Sequence, residues 1–296
     1  MPDAPSDAVP PCKRRSFTGL PRTVILLGWV SLLTDVASEM AYPLIPLFLV
    51  SLGAPALALG FIEGVAESVV SVMKGLSGWH SDRLRRRVPY VQWGYGLGAS
   101  AKLLLAVAFG WPMVLVGRTV DRFGKGLRTT ARDALIADLV PREQGGKAYG
   151  FHRAMDTAGA LIGVLVCAGL IALLPGQYRL VFGLALLPGV CAIALTFRLR
   201  EGQRDEVPAA AHAQDAPPAT EPLSAQYWRI CLLQVLFALA NSSDTFLLLR
   251  AHGLGLGDAT VILAYAFYNV TYTLVSYPVG ALSDRIGRWG IMRAGW

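Results

Sequence analysis

Eight long apolar segments constrain the fold of this chain more than any other feature of its sequence. A helix that crosses a bilayer needs about 20 mainly apolar residues, and more if it is tilted. Segments of this kind cover residues 23–50, 57–79, 90–109, 112–140, 146–174, 179–197, 227–249 and 259–282. The sequence therefore predicts an all-α membrane protein, a polytopic helical bundle with about eight transmembrane helices.

The loops between these segments alternate in charge. Residues 51–56, 110–111 and 251–257 contain no lysine, arginine or acidic residue, whereas the other loops are basic. The basic loops all fall on the side of the N-terminus, with Arg179 as the exception. Because lysine and arginine are retained in cytoplasmic loops, we predict a multi-pass protein of the inner (plasma) membrane with a cytoplasmic N-terminus.

Composition supports a lipid bilayer as the solvent of this chain. Charged residues make up 16% of it and hydrophobic residues 54%, whereas soluble proteins average about 25% charged residues. The net charge of +7 would suit nucleic acid, but the basic residues stand at the ends of apolar segments, so no nucleic-acid partner is predicted. The four cysteines lack metal-ligand spacing, and neither a metal nor a cofactor is predicted.

The segments divide the chain into four parts. Residues 1–22 form a polar cytoplasmic tail, and residues 23–198 an N-terminal bundle of six helices. Residues 199–225 are rich in alanine, proline and charge without an apolar period, which predicts a cytoplasmic linker. Residues 226–296 then supply two helices of a partial second bundle.

Ionisable side chains lie in the middle of several predicted spans. Each costs at least about 2.5 kcal/mol at the bilayer centre, so each is expected to face the bundle interior or water. In the fourth segment, helical steps of about 100° place five of them within about 120° of one another: Arg118, Asp121, Arg122, Lys125 and Arg132. We predict that this face lines an aqueous path.

The same projection groups ionisable residues on one face of three other segments: Asp35 and Glu39; Glu63, Glu67 and Lys74; His152 and Asp156. Acids of the first two segments balance bases of the fourth, either as a proton-responsive or substrate-binding element or as static ion pairs. Lys102, in the third segment, is interpreted as a snorkelling side chain or a structural pair.

The eighth segment carries a polar aromatic face, formed by Tyr265, Tyr268, Asn269 and Tyr272. Aromatic hydroxyls beside an amide suit a cavity for an amphiphilic organic molecule. Hydrogen bonding between helices is the alternative interpretation.

A motif occurs twice where an apolar segment ends. Gly78 is followed by Asp82, Arg83 and Arg87, and about 200 residues later Gly280 is followed by Asp284 and Arg285. A repeat at such helix ends is typical of a membrane protein built from two parallel halves. Its position and residues resemble the cytoplasmic loop motif of the major facilitator superfamily of transporters, within which the chain is similar to a poorly characterised prokaryotic branch and to drug/proton exporters.

The resemblance implies roles for particular residues. The two motif copies would gate the cytoplasmic side, and Arg118 would take part in proton transfer. Gly150, Gly159 and Gly163 fit a glycine pattern of proton-driven exporters, and small residues at such intervals also let helices pack closely. Since the family carries about six helices per half, the resemblance implies that four of the expected twelve are missing at the C-terminus.

We therefore predict proton-coupled export of a small organic solute by alternating access, with the proton as coupling ion. The predicted path and coupling residues are Asp35, Glu39, Glu67, Arg118, Asp121, Arg122, Lys125, Arg153, Asp156 and Asp244. An enzyme is not predicted, because Gly124-Lys125-Gly126 lacks the rest of a phosphate-binding loop and His152 has no second histidine beside it. The alternatives are a truncated fragment inactive in transport and a membrane receptor or scaffold.

Overall fold

The structure is a computed structural model that describes residues 20–84, 86–141, 144–201, 224–240 and 243–271. Within these ranges the regular secondary structure is helical, as predicted. The helices are α1 (Arg22–Ala41), α2 (Leu44–Ser51), α3 (Ala56–Leu84), α4 (Val88–Ala106), α5 (Trp111–Leu139), α6 (Gly145–Leu173), α7 (Tyr178–Thr196), α8 (Ala225–Ala240), α9 (Asp244–Gly253) and α10 (residues 258–271).

Each predicted span begins within two residues of a helix in this set. The first span is broken into α1 and α2 at Tyr42 and Pro43, because a proline has no N–H to donate and its ring crowds the carbonyl four residues earlier. The seventh span is likewise divided, into α8 and α9. The second continues as α3 to Leu84, so that Asp82 and Arg83 of the motif lie in its last turn. The eighth begins as α10, and its residues beyond 271 lie outside the described part.

Glycines let the helices of the first bundle approach to backbone contact. A Cβ on Gly159 of α6 would clash with the Leu32 carbonyl oxygen, and one on Gly163 would lie 2.6 Å from that of Val36. Helices α4 and α5 approach each other equally closely, since a Cβ on Gly124 would lie 2.6 Å from the carbonyl oxygen of Gly94. The packing interpretation of Gly159 and Gly163 is therefore confirmed.

A charged layer lies between two apolar clusters. One cluster, at the end of the bundle that holds α2, joins α2 and α7 to Leu248 of α9 and to Val261 and Ile262 of α10. The other, at the end where α1 begins, packs α1 against α4 and the last turns of α5. The buried charged side chains of α3, α4 and α5 fall between the two clusters: Glu63, Lys102, Arg118, Asp121 and Arg128.

The outer surface carries large apolar side chains. Trp93 is 70% exposed and Leu187 is 63% exposed, and most described side chains of α8 are exposed as well. Water-soluble proteins rarely expose apolar patches of this extent. Four described helical segments are long and apolar enough to cross a membrane: Arg22–Ser51, Ala56–Leu84, Lys147–Leu173 and Tyr178–Thr196. Helix α5 has 29 residues but is not among these four, because it carries eight ionisable side chains.

Candidate functional site

The charged layer encloses a cavity of about 50 Å³ between α1, α4 and α5. Its lining contains eight acidic or basic side chains: Asp35, Glu39, Lys102, Arg118, Asp121, Arg122, Lys125 and Arg128. Six of these are residues that the sequence predicted for the path, and the structure brings all six to one cavity. The volume accommodates a few water molecules or one small polar group, whereas pockets for whole organic ligands have about 300 Å³ or more.

Arg118 of α5 forms a buried ion pair with Glu63 of α3. Its Nη2 and Nε donate to the same Glu63 oxygen, at 2.7 and 3.1 Å. The two side chains are only 4% and 6% exposed, and the guanidinium lies 5.2 Å from the centre of the Tyr42 ring. A buried charge requires such a partner, since an unpaired one would be strongly destabilising.

Lys102 of α4 forms the second buried pair, with Asp121 of α5. Its Nζ lies 2.6 Å from the carboxylate and also donates to the Ser38 hydroxyl at 3.1 Å. The ammonium is 3% exposed, so the structural pair is confirmed and the snorkelling alternative is wrong. Because Ser38 belongs to α1, this one lysine connects three helices around the cavity.

Arg122 is the second base of α5 in the cavity lining that has a carboxylate nearby. Its Nε lies 3.4 Å from Glu67 of α3, whose side chain is 60% exposed. Glu67 therefore pairs with Arg122 of the cavity lining, although Glu67 itself does not line the cavity. Exposure and distance make this pair weaker than those of Arg118 and Lys102.

Asp35 and Glu39 bring two carboxylates to the cavity from successive turns of α1. Glu39 accepts a hydrogen bond from the Tyr265 hydroxyl of α10 at 3.2 Å. Asp35 has no ion pair within 4 Å in the described part of the chain, although the charges of Asp156, Arg128 and Lys125 act on it from a longer distance. The acids of α1 are thus held less firmly than those of α3 and α5.

Three other predicted path residues lie away from the cavity. Asp156 of α6 accepts a hydrogen bond from the Ser31 hydroxyl and lies 3.5 Å from His152, at the interface of α6 with α1. Arg153 is exposed on α6, because it follows the buried His152 and points away from α1. Asp244 is the first residue of α9, after the break in the seventh span.

The first copy of the motif surrounds Arg87, which lies between α3 and α4. Its guanidinium pairs with Asp82, donates to the Ser81 hydroxyl at 2.9 Å, and reaches Asp138 of α5 at 3.4 Å. The Glu201 carboxylate, beyond α7, accepts the backbone N–H groups of Arg87 and Val88 at 2.9 and 2.8 Å. The motif therefore ties three parts of the bundle together at the end where α1 begins.

The other motif residues are less involved. Arg83 lies 5.9 Å from the centre of the Trp79 ring, and a Cβ on Gly78 would lie 3.6 Å from Thr130 of α5. Gly280, Asp284 and Arg285 of the second copy lie outside the described residues.

The aromatic face of α10 reaches the cavity through Tyr265. This ring lies 5.8 Å from Tyr42 and 6.2 Å from Tyr268, measured between centroids. Asn269 donates to the Tyr265 carbonyl oxygen at 3.0 Å, and Tyr268 is 47% exposed. Tyr272 lies outside the described residues. Helix α10 thus supplies a hydroxyl to Glu39.

Two charged residues of the cavity lining, Arg128 and Lys102, were not among the path residues predicted from the sequence. Arg128 lies ten residues after Arg118, and steps of about 100° place it beside Asp121 on the ionic face, so continuing that face would have found it. Lys102 stands without another charge in its span, and no sequence pattern shows that it faces Asp121.

Comparison with known proteins places this geometry in a family. The family model described as Major Facilitator Superfamily matches residues 27–296. The chain belongs to the major facilitator superfamily. Membership makes it a multi-pass membrane protein of a transporter family rather than an enzyme, and explains the two related motif copies.

Individual relatives agree with this placement. An uncharacterised MFS-type transporter of Methanocaldococcus jannaschii is 30% identical over 286 residues, which cover 94% of this chain and 70% of the relative. A protein of Mycobacterium tuberculosis is 31% identical, and the match covers 90% of this chain and 66% of that protein. The multidrug resistance protein MdtG of Escherichia coli is 26% identical over 196 residues, covering 64% of this chain and 47% of MdtG. The chain thus spans about two thirds of the length of its more similar superfamily relatives.

Solved structures show the same fold. A bacterial homologue of the human lysosomal transporter Spinster, in an inward-facing and occupied conformation, matches with a TM-score of 0.70 at 16% identity, over 90% of this chain and 62% of that one. The D-xylose-proton symporter matches with a TM-score of 0.68 at 17% identity, over 90% and 69%.

Proposed function

We propose that the protein acts as a secondary active transporter that exports a small organic solute in exchange for protons by alternating access. The observation that carries this proposal is the layer of ionisable side chains around a cavity between two apolar clusters. Placing charges at bilayer depth is costly, so such a layer is expected where an ion or a polar solute must pass. The proposal includes an inner-membrane location and a cytoplasmic N-terminus, which the charges of the loops support.

Charge balance supports coupling to a proton. Five bases line the cavity, and five acids line it or pair with its bases from α3: Asp35, Glu39, Asp121, Glu63 and Glu67. Formal charges therefore cancel. In a medium of low dielectric constant, a single added proton leaves an excess charge that is strongly felt by every neighbour. Binding or losing one proton can then change the affinity for a charged solute or the preference between two conformations.

Asp35 is our candidate for the proton-carrying group. Protonation of Glu63 or Asp121 would break a buried ion pair with Arg118 or Lys102. Asp35 has no such pair in the described residues, so its protonation breaks none. The charges of Asp156, Arg128, Lys125 and Glu39 act on it, so a change in its own charge is felt by all four. Glu39 is the second candidate, and its bond from Tyr265 would connect its protonation to the other half of the molecule.

Contacts between the halves support a conformation that is closed at the outer end. The Tyr178 hydroxyl of α7 donates to Asp258 at the start of α10, and Asp258 also lies 3.3 Å from His252 of α9. In our proposal these contacts open when the cavity turns outward. The motif around Arg87 and Asp82 would control the opposite, cytoplasmic end, together with residues 280–285 of the second copy.

A small organic solute and outward transport are supported by the likeness to MdtG, a multidrug resistance protein. The test uses everted membrane vesicles that contain the full chain and a respiratory proton gradient, reported by quenching of acridine orange. Ethidium, chloramphenicol and phenyl phosphate are added in turn as probes of each charge class. We expect at least one probe to dissipate the gradient with the wild-type chain and not with Asp35→Asn. Uptake of a probe without any proton movement would contradict exchange.

A further inference from the structure

The bases of α5 form a row along the cavity whose two halves differ in their partners. Arg118, Arg122, Lys125 and Arg128 recur every three or four residues, and the row extends over about 15 Å at 1.5 Å per residue. The first two have carboxylates of α3 within 4 Å. Neither Lys125 nor Arg128 has an ion pair at that distance within the described ranges. The row therefore ends in two positive charges without a carboxylate in direct contact, and Asp35 acts on them only from a longer distance.

Arg128 needs a counter-ion more than Lys125 does, because its side chain is only 5% exposed. Its side chain lies against α4, where a Cβ on Gly98 would come within 3.3 Å of Nη1. The guanidinium stacks 4.6 Å from the centre of the Tyr95 ring, and its Nε has no hydrogen-bond acceptor in the part of the chain that the structure describes. The buried Tyr95 hydroxyl likewise lacks a partner there.

A ring face does not replace a counter-ion. Cation–π stacking supplies about 0.5–2 kcal/mol, whereas the effective cost of burying an ion is several kcal/mol. The planar guanidinium matches the two oxygens of a carboxylate or phosphate, and Lys125, which lines the cavity and is exposed, adds a second positive charge. The cavity of about 50 Å³ has room for such a group but not for a whole organic molecule.

We propose that Arg128 and Lys125 form an anion subsite that binds the carboxylate or phosphate group of the transported solute. The identity of the anion as cargo rests on the proposed transport function, whereas anion binding itself does not. The subsite assigns the solute to the organic anions. The remainder of such a solute would extend from the cavity mouth, where Lys125 is exposed.

The subsite is tested by thermal unfolding of the full chain in detergent, without any transport step. The probes are inorganic phosphate and phenyl phosphate, compared with sodium chloride at equal ionic strength and with tetraphenylphosphonium as a cation. We expect either phosphate to raise the Tm of the wild-type chain by about 4 °C at ten times its Kd. Chloride and tetraphenylphosphonium should leave the Tm within the scatter of replicates.

Arg128→Gln should abolish this stabilisation, although it breaks no ion pair within 4 Å among the described residues. Arg132→Gln is the matched control: it removes the same charge one turn further along α5, where Asp133 lies 2.9 Å away, and should keep the phosphate response. Lys125→Gln, at an exposed position, should fold normally and weaken phosphate binding about tenfold.

The subsite is refuted if phosphate stabilises Arg128→Gln as much as wild type, or if Lys125→Gln binds phosphate unchanged. It is also refuted if phosphate acts no better than chloride, or if tetraphenylphosphonium alone stabilises the chain, which would indicate a cationic solute at Asp35 and Glu39. An Arg128-dependent response in a chain that moves no protons in vesicles would leave the subsite standing and reject the proposed exchange.

Discussion

The buried pair of Glu63 and Arg118 gives the strongest prediction about stability. Glu63→Gln keeps the shape of the side chain but removes the negative charge that two guanidinium nitrogens share at 2.7 and 3.1 Å. Breaking a buried pair by removing one partner costs about 3–5 kcal/mol, because the other charge stays buried. Asp121 at 3.9 Å and the Tyr42 ring still compensate Arg118 in part, so we expect the lower value, about 3 kcal/mol.

The measurement is thermal unfolding of the purified chain in detergent. At about 2–4 °C per kcal/mol, Glu63→Gln should lower the Tm by about 8 °C. Asp133→Asn is the matched control, since Asp133 also pairs with an arginine of α5, at 2.9 Å, but is 45% exposed. An exposed pair contributes about 0–1 kcal/mol, so this variant should change the Tm by at most about 4 °C.

A double variant distinguishes the contribution of the ion pair to stability from the contributions of its two side chains. If Arg118 is destabilising only because its counter-ion is lost, then Glu63→Met combined with Arg118→Met should recover much of the stability that Glu63→Gln loses. Equal decreases in Tm for Glu63→Gln and Asp133→Asn would refute this reasoning. So would a double variant whose loss of stability equals the sum of the losses of its two single substitutions.

Three further changes test the packing and the contacts of the bundle by the same unfolding measurement. Gly124→Ala should cost about 1–3 kcal/mol because its Cβ would lie 2.6 Å from the Gly94 carbonyl oxygen, whereas Gly150→Ala, with nothing within 4 Å, should not destabilise; equal losses would contradict the packing. Glu201→Gln should cost about 1 kcal/mol by weakening the cap on the start of α4, and no loss would mean that water replaces it. Tyr265→Phe should cost about 0.5–1.5 kcal/mol by removing the bond to Glu39, and an unchanged Tm would contradict that contact.

The positions of the helices could be predicted from the sequence. Each predicted apolar run begins with a helix in the described part of the chain, because the need to satisfy backbone groups inside a bilayer leaves few alternatives to a helix. The break at Pro43 was not predicted, although proline itself signals it. The glycine intervals of α6 likewise predicted close packing without identifying α1 as the partner.

The residues of the candidate site were likewise predicted from the sequence only in part. Periodicity by itself determined that Arg118, Asp121, Arg122 and Lys125 share one face of α5, since the angle between residues of a helix is fixed by its geometry. Only the tertiary structure decided which charge meets which: Arg118 pairs with Glu63, and the isolated Lys102 with Asp121. Which charged residues pair depends on how helices distant in sequence are rotated and packed against each other. The periodicity of a single helix does not determine that rotation.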